Sequence, residues 1–122
     1  MDKDDGLRTV VRLLSGAGGI WGLALLIRPR EVVARLCPEF PESRMWVVRV
    51  LGARLVAQHA VVLAAPEGPI LRAASAVDFL HAASMLPLLG SPRYRRAAVI
   101  SGGVAAAYGA LAAAAAGRSE RR

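Results

Sequence analysis

Four polar residues stand inside long apolar stretches, and their types are those that carry protons or neutralise one another. They are Arg54 and Gln58 in the run from Met45 to Ala65, and Asp78 and His81 in the run from Ile70 to Leu89. Arg54 and Gln58 are four apart and share one face of a helix; Asp78, His81 and Met85 share a face of the next, at spacings of three and four. The turn between the runs, Pro66-Glu67-Gly68-Pro69, is short enough to make the two helices antiparallel neighbours that pack as a hairpin. At a rise of about 1.5 Å per residue, Arg54 stands about 16 Å above Ala65 and Asp78 about 14 Å above Pro69. The pattern predicts an Arg54–Asp78 ion pair near mid-bilayer, with Gln58 and His81 meeting the leftover hydrogen bonds. Two roles are open to this cluster: it locks the hairpin, or Asp78 and His81 form a proton or substrate site.

Other reactive types fall at spacings that do not suit their chemistry. His59 lies about 9 Å above the same turn and His81 about 18 Å, heights too different for two axial ligands of one haem held between these helices. Ser75, Asp78 and His81 have the composition of a hydrolase set, but Ser75 and His81 are about 9 Å apart in rise, too far for the imidazole to take the serine proton. Gly16, Gly18 and Gly22 loosely match a dinucleotide fingerprint, yet Trp21 falls where its last glycine belongs and no strand–helix–strand unit surrounds it. In a membrane helix Gly18 and Gly22 make a GxxxG step, with Ser15 and Gly19 beside it, that lets another backbone come close. The last apolar run repeats the device with Ser101, Ala105, Gly109 and Ala113, a smooth ridge for packing within the protein, between copies or with a partner. Cys37 is the sole cysteine, so it forms no intrachain disulfide, and the residues before it are not a lipoprotein cleavage box. It reads as a small apolar filler. No metal or cofactor site is expected.

The elements that must carry these residues follow from composition. The chain is 55% hydrophobic with a mean hydropathy of +0.42, more apolar than an ordinary soluble domain. Its net charge of +7 would suit a nucleic-acid binder only if the basic residues were gathered on one face, and they instead flank the apolar runs. Arg28, Arg30, Arg35 and Arg44 lie in one connection, Arg93, Arg95 and Arg96 in another, and Arg118, Arg121 and Arg122 in the tail, as anchors of membrane helices do. The expected fold is all-α: four transmembrane helices over 10–27, 45–65, 70–89 and 97–117 in an up-down bundle, as one domain over 1–122. A soluble four-helix bundle is the competing reading, but the last run offers no polar face to water.

Residues 31–37 are expected to form a short interfacial segment, with Val32, Val33 and Leu36 on one side. Arg28-Pro29-Arg30, in place of a small-residue cleavage pattern, predicts that the first helix stays in the mature protein. Trp46 and Tyr94 sit at helix entrances, where amphipathic rings favour the headgroup region, while Trp21 and Tyr108 fall inside spans. The first and third helices end alike, Leu25-Leu26-Ile27-Arg28-Pro29-Arg30 against Leu88-Leu89-Gly90-Ser91-Pro92-Arg93, which hints at two related hairpins with basic ends on one side. The excess of basic residues in the connections gives a lean towards both termini outside a bacterial inner membrane.

The stretches Val50-Leu51-Gly52-Ala53-Arg54-Leu55-Val56-Ala57-Gln58 and Val77-Asp78-Phe79-Leu80-His81-Ala82-Ala83-Ser84-Met85 resemble those of small actinobacterial four-helix membrane proteins of the DoxX-like type. The resemblance covers most of the chain and implies a multi-pass inner-membrane protein. It also implies an accessory role, since the DoxX name comes from a subunit of a thiosulfate and quinone oxidoreductase. It brings no catalytic residues with it. The leading expectation is a non-enzymatic accessory or assembly subunit whose partners are the bilayer and other membrane subunits, or copies of itself, and not nucleic acid. One alternative is a small oligomeric proton-coupled transporter or conduit using Asp78 and His81; a subunit of a membrane redox enzyme is the other, on the resemblance alone.

Overall fold

Proline cuts this chain where its apolar runs end. The computed structural model describes residues 3–121, which form five α-helices and two short 3-10 turns, with no strand among the described residues. Helix α1 spans Lys3–Ile27 and α2 spans Pro29–Leu36, with Pro29 in its first turn, where a missing N–H leaves no helical bond unmade. A 3-10 turn at Glu42–Arg44, following Pro41, leads into α3, Met45–Ala64. Helix α4 spans Gly68–Met85, a 3-10 turn follows over Leu86–Gly90, and α5 spans Arg95–Glu120. Arg122 of the basic tail lies outside the described residues.

Three boundaries depart from expectation. The third apolar run does not stay α-helical to Leu89, because Pro87 cannot donate to a carbonyl one turn back and crowds it. The backbone tightens instead, with the Leu86 N–H bonded to the Ala83 carbonyl. Helix α1 begins at Lys3, not at Val10, and α5 runs to Glu120, beyond Gly117. Charged residues end an apolar count without ending a helix, since most of them are good helix formers.

Four segments, Asp5–Ile27, Glu42–Ala64, Gly68–Gly90 and Arg95–Arg118, are long and apolar enough to cross a bilayer. Their outward faces decide between bilayer and water: Leu13, Ile20 and Leu80 are 69%, 70% and 73% exposed. A soluble bundle turns polar residues outward, and this one turns leucine and isoleucine.

The helices pack as two close pairs, α1 with α3 and α4 with α5, and few residues meet across the boundary between the pairs. This corrects the expected hairpin of the second and third spans: α3 and α4 are joined by a short turn but lie against each other over little of their length. The cause is where the small residues face. A Cβ on Gly22 would come 2.9 Å from the Gly52 carbonyl oxygen, and one on Gly52 would come 2.6 Å from the Gly22 carbonyl oxygen, so α1 and α3 touch backbone to backbone. On the other side a Cβ on Gly109 would lie 3.3 Å from the Asp78 Cβ, one on Gly102 would lie 3.2 Å from the Met85 Cβ, and Ala105 is buried. Gly18, Gly22, Ala105 and Gly109 thus serve packing inside the chain; Gly19 has only a loose contact with His59, and Ala113 is exposed. The close pairs coincide with the two halves that the like endings suggested. Their basic ends lie together, with Glu39 3.7 Å from Arg96 and the Phe40 ring 5.5 Å edge-on from that of Tyr94.

Two apolar clusters fill the interior. One, near the termini, joins Val11, Val62, Leu71, Ala74, Ala115 and Ala116 from all four spans. The other, at the basic end, joins Leu25, Val33, Cys37, Met45, Val48 and Leu55, drawn from α1, α2 and α3 and the residue just after α2. Replacing Gly52 by Leu is expected to cost about 3 kcal/mol or more, since the new side chain meets backbone that cannot yield. Gly16→Ala, where a Cβ meets nothing within 4 Å, should change stability by no more than about 1 kcal/mol. Thermal unfolding of both variants in detergent checks the contrast.

Candidate polar site within the membrane

Between the two apolar clusters the bundle holds its polar residues. Asp78 is 2% exposed, because Ala74, Ser75 and Asp78 lie on the face of α4 turned to α5, where Gly109 leaves room. The Ser75 hydroxyl donates to the Gly109 carbonyl at 2.8 Å, fastening the helices beside the carboxylate. Arg54 reaches across from α3 and brings Nη1 to 3.6 Å from Asp78 Oδ1. That distance makes an ion pair but exceeds a hydrogen bond. The hydrogen bond from the same Nη1 goes to Gln58 Oε1 at 2.7 Å, the four-residue spacing doing what the sequence indicated.

His81 does not join this group. It is hydrogen-bonded through Nε2 to Ser101 Oγ at 2.6 Å, so Ser101, expected on a smooth ridge, is instead a polar tie between α4 and α5. The histidine at the centre is His59, which is 3% exposed. Its ring lies against Gly18, where a Cβ would sit 2.6 Å from ring Cε1, and it meets the Tyr108 ring at 4.8 Å and 62°. Tyr108 in turn donates its hydroxyl to the Leu14 carbonyl at 2.6 Å, tying α5 to α1.

His59 and Arg54 give the site its character. Both ring nitrogens of His59 and Nε of Arg54 are buried without a hydrogen-bond partner. An unmatched buried donor or acceptor costs about 1–3 kcal/mol, a cost that a water bound beside these atoms would remove. His59, Asp78, Gln58, Tyr108 and Ser15 all border one cavity, with about 20 Å³ open to the centre of a water molecule. That is room for about one water, and the walls supply the several polar partners that a buried water needs.

Sequence reasoning found Arg54, Gln58 and Asp78 and missed His59, Tyr108 and Ser75. His59 carried a signal: Leu55, His59 and Val62, at spacings of four and three, are the inward seam of α3. An imidazole on that seam opposite a GxxxG helix has the space it needs. Cys37 is buried beneath α2; burial, helped by Glu39 and opposed by Arg96, pushes its thiol up, as suits an inert filler. Comparison of the chain with family models, with curated proteins and with solved structures gives no match in any of the three.

If Arg54 and Asp78 neutralise each other, Arg54→Met and Asp78→Asn should each lower stability by about 3–5 kcal/mol. Asn is chosen because Gly109 packs on the Asp78 Cβ. The double variant should lose less than the sum, by about 1 kcal/mol or more in a thermal or denaturant double-mutant cycle. Strict additivity would show that the two charges do not interact.

Proposed function

We propose that this protein is a small membrane-embedded proton carrier or conduit, active as an assembly of copies, in which Asp78 and His59 take up and release the proton. His59 replaces His81 in the role expected from sequence. The observation that carries this reading is the pairing of unmatched imidazole nitrogens with a 2% exposed carboxylate, held beyond hydrogen-bond distance of its arginine, on one water-sized cavity. A carboxylate and an imidazole that border one water-sized space can exchange a proton through an intervening water, and intramembrane groups of these types line proton paths. Arg54, Gln58 and Tyr108 hold the site's shape. Val11, Val62 and Leu71 close it towards the termini, so passage requires that face to open or a neighbouring copy to complete it.

A second reading, the non-enzymatic accessory or assembly subunit, is favoured by the outward face of α5. Gly103, Ala107, Ala110 and Ala114 are all exposed there, small residues where lipid-facing helices usually carry larger ones, and they offer a bed for another helix. The DoxX-like resemblance supports this reading and, through the oxidoreductase subunit behind the family name, that of a redox-enzyme subunit. In either case we infer a bacterial inner membrane with both termini outside, on the seven arginines of the two connections at the opposite end.

Proteoliposomes holding a pH-sensitive dye, with a potassium diffusion potential as driving force, separate the readings. Compared at equal amounts of folded, inserted protein, His59→Gln and Asp78→Asn are expected to lower proton flux by about tenfold or more while Gly16→Ala leaves it unchanged. Flux no greater than in empty vesicles would sink the conduit. Gly103→Leu would then be the test of assembly, read as loss of the native complex on a gel.

A further inference from the structure

The basic end of the bundle holds a second cavity of a different kind. It opens beneath α2, between the close pairs, and is lined by Trp21, Leu25, Leu36, Leu51, Ala97 and Ile100 among others. About 60 Å³ of it is open to the centre of a water-sized sphere, three times the polar cavity, and of its lining residues only Ser101 carries a hydroxyl. Without polar partners water does not fill such a space. Facing a bilayer, it is a slot for hydrocarbon.

The charge around it says which hydrocarbon. The connections at this end carry seven arginines and three glutamates, and each glutamate holds one arginine: Glu31 with Arg28 at 3.2 Å, Glu42 with Arg30 at 2.7 Å, Glu39 with Arg96 at 3.7 Å. Arg35, Arg44, Arg93 and Arg95 have no carboxylate partner among the described residues, and Arg95 donates instead to the Leu89 carbonyl. Arg35 precedes the lining residue Leu36 in sequence, and Arg96 precedes the lining residue Ala97. The two connections at this end therefore carry a net charge of +4, and Arg96, ion-paired with Glu39, directly precedes the lining residue Ala97. A surface helix with a buried apolar side, here Val33 inward and Arg35 outward, forms the roof.

We propose that this crevice binds an anionic phospholipid, one acyl chain under α2 and the phosphate drawn to the arginines of the two connections, Arg35 and Arg96 being those next to the lining in sequence. The site is independent of the polar centre. Neutral lipid fills the same hydrocarbon slot but gains nothing from the arginines, so the headgroup sets the preference.

Trp21 reports on the slot directly. The chain has two tryptophans, and Trp46→Phe, at a residue 58% exposed at the entrance of α3, leaves Trp21 as the sole tryptophan, excited apart from the two tyrosines. The full chain is reconstituted in neutral vesicles and titrated with phosphatidylglycerol or phosphatidylcholine carrying brominated acyl chains, which quench on contact. Phosphatidylglycerol is expected to reach half-quenching at a mole fraction lower by about fivefold or more. Arg35→Gln with Arg96→Gln, both on the surface, should erase that preference. Ala97→Phe, which fills the slot, should erase it with the arginines intact. Equal quenching by the two lipids overturns the proposal, as does failure of phosphatidylglycerol to quench. So does an anionic preference that survives Ala97→Phe, because attraction to the charged end alone would then explain it.

Discussion

A carboxylate that is 2% exposed at the middle of an apolar bundle needs an opposite charge, and Arg54 provides it from the other helix pair. This crossing sets the relation of the two halves. Within each half, glycine and alanine faces bring backbones together, but the boundary between α3 and α4 has little apolar packing to fix it. Ion pairing acts over a longer range than dispersion and gains strength where the dielectric is low, so this contact at 3.6 Å helps to orient halves that also meet in the apolar cluster near the termini. The Tyr108 hydroxyl on the Leu14 carbonyl is a second tie between the halves. These two ties lie at the level of the polar centre, between the two apolar clusters, and the Glu39–Arg96 pair adds a third at the basic end.

The same arrangement explains how a small bundle holds two chemically different spaces. Where all four spans contribute to a cluster, near the termini, the interior closes down to a water-sized cavity with polar walls. At the basic end the cluster draws on α1, α2 and α3, and α5 reaches it only through the half-buried Ala97. A slot under α2 is what that asymmetry leaves. Hydrogen-bonding capacity is concentrated in one space and apolar surface in the other, so their contents are set by different forces.

Much of the architecture was legible in the sequence because hydrophobic run length and proline are local signals. The four spans and α2 follow from them to within a few residues, apart from the polar first turns of α1. Arg54, Gln58 and Asp78 were legible too, since a charge in an apolar run is conspicuous and helical spacing gives its face. The pairing of helices was not. A short turn makes neighbours in sequence but does not say which faces hold the small residues, and here Gly22 chose Gly52 while Gly109 chose Asp78. The assignment of His59 and His81 depended on that pairing: height above one turn ranks residues along a helix but not around it, and His81 found Ser101 on a helix that the hairpin picture left out.

Because each close pair joins consecutive spans, the order in which the chain emerges during synthesis matches the order in which it packs. The first two spans complete their backbone contact at Gly22 and Gly52 before the third exists, a local assembly that needs no distant partner. Arg54 is the exception, for its counter-charge lies 24 residues further on. Until the third span is made, the Arg54 guanidinium has Gln58 of its own helix as a hydrogen-bond partner but no counter-charge, which raises the cost of placing the second span in lipid. The second and third spans are therefore cheaper to place in lipid together than one at a time.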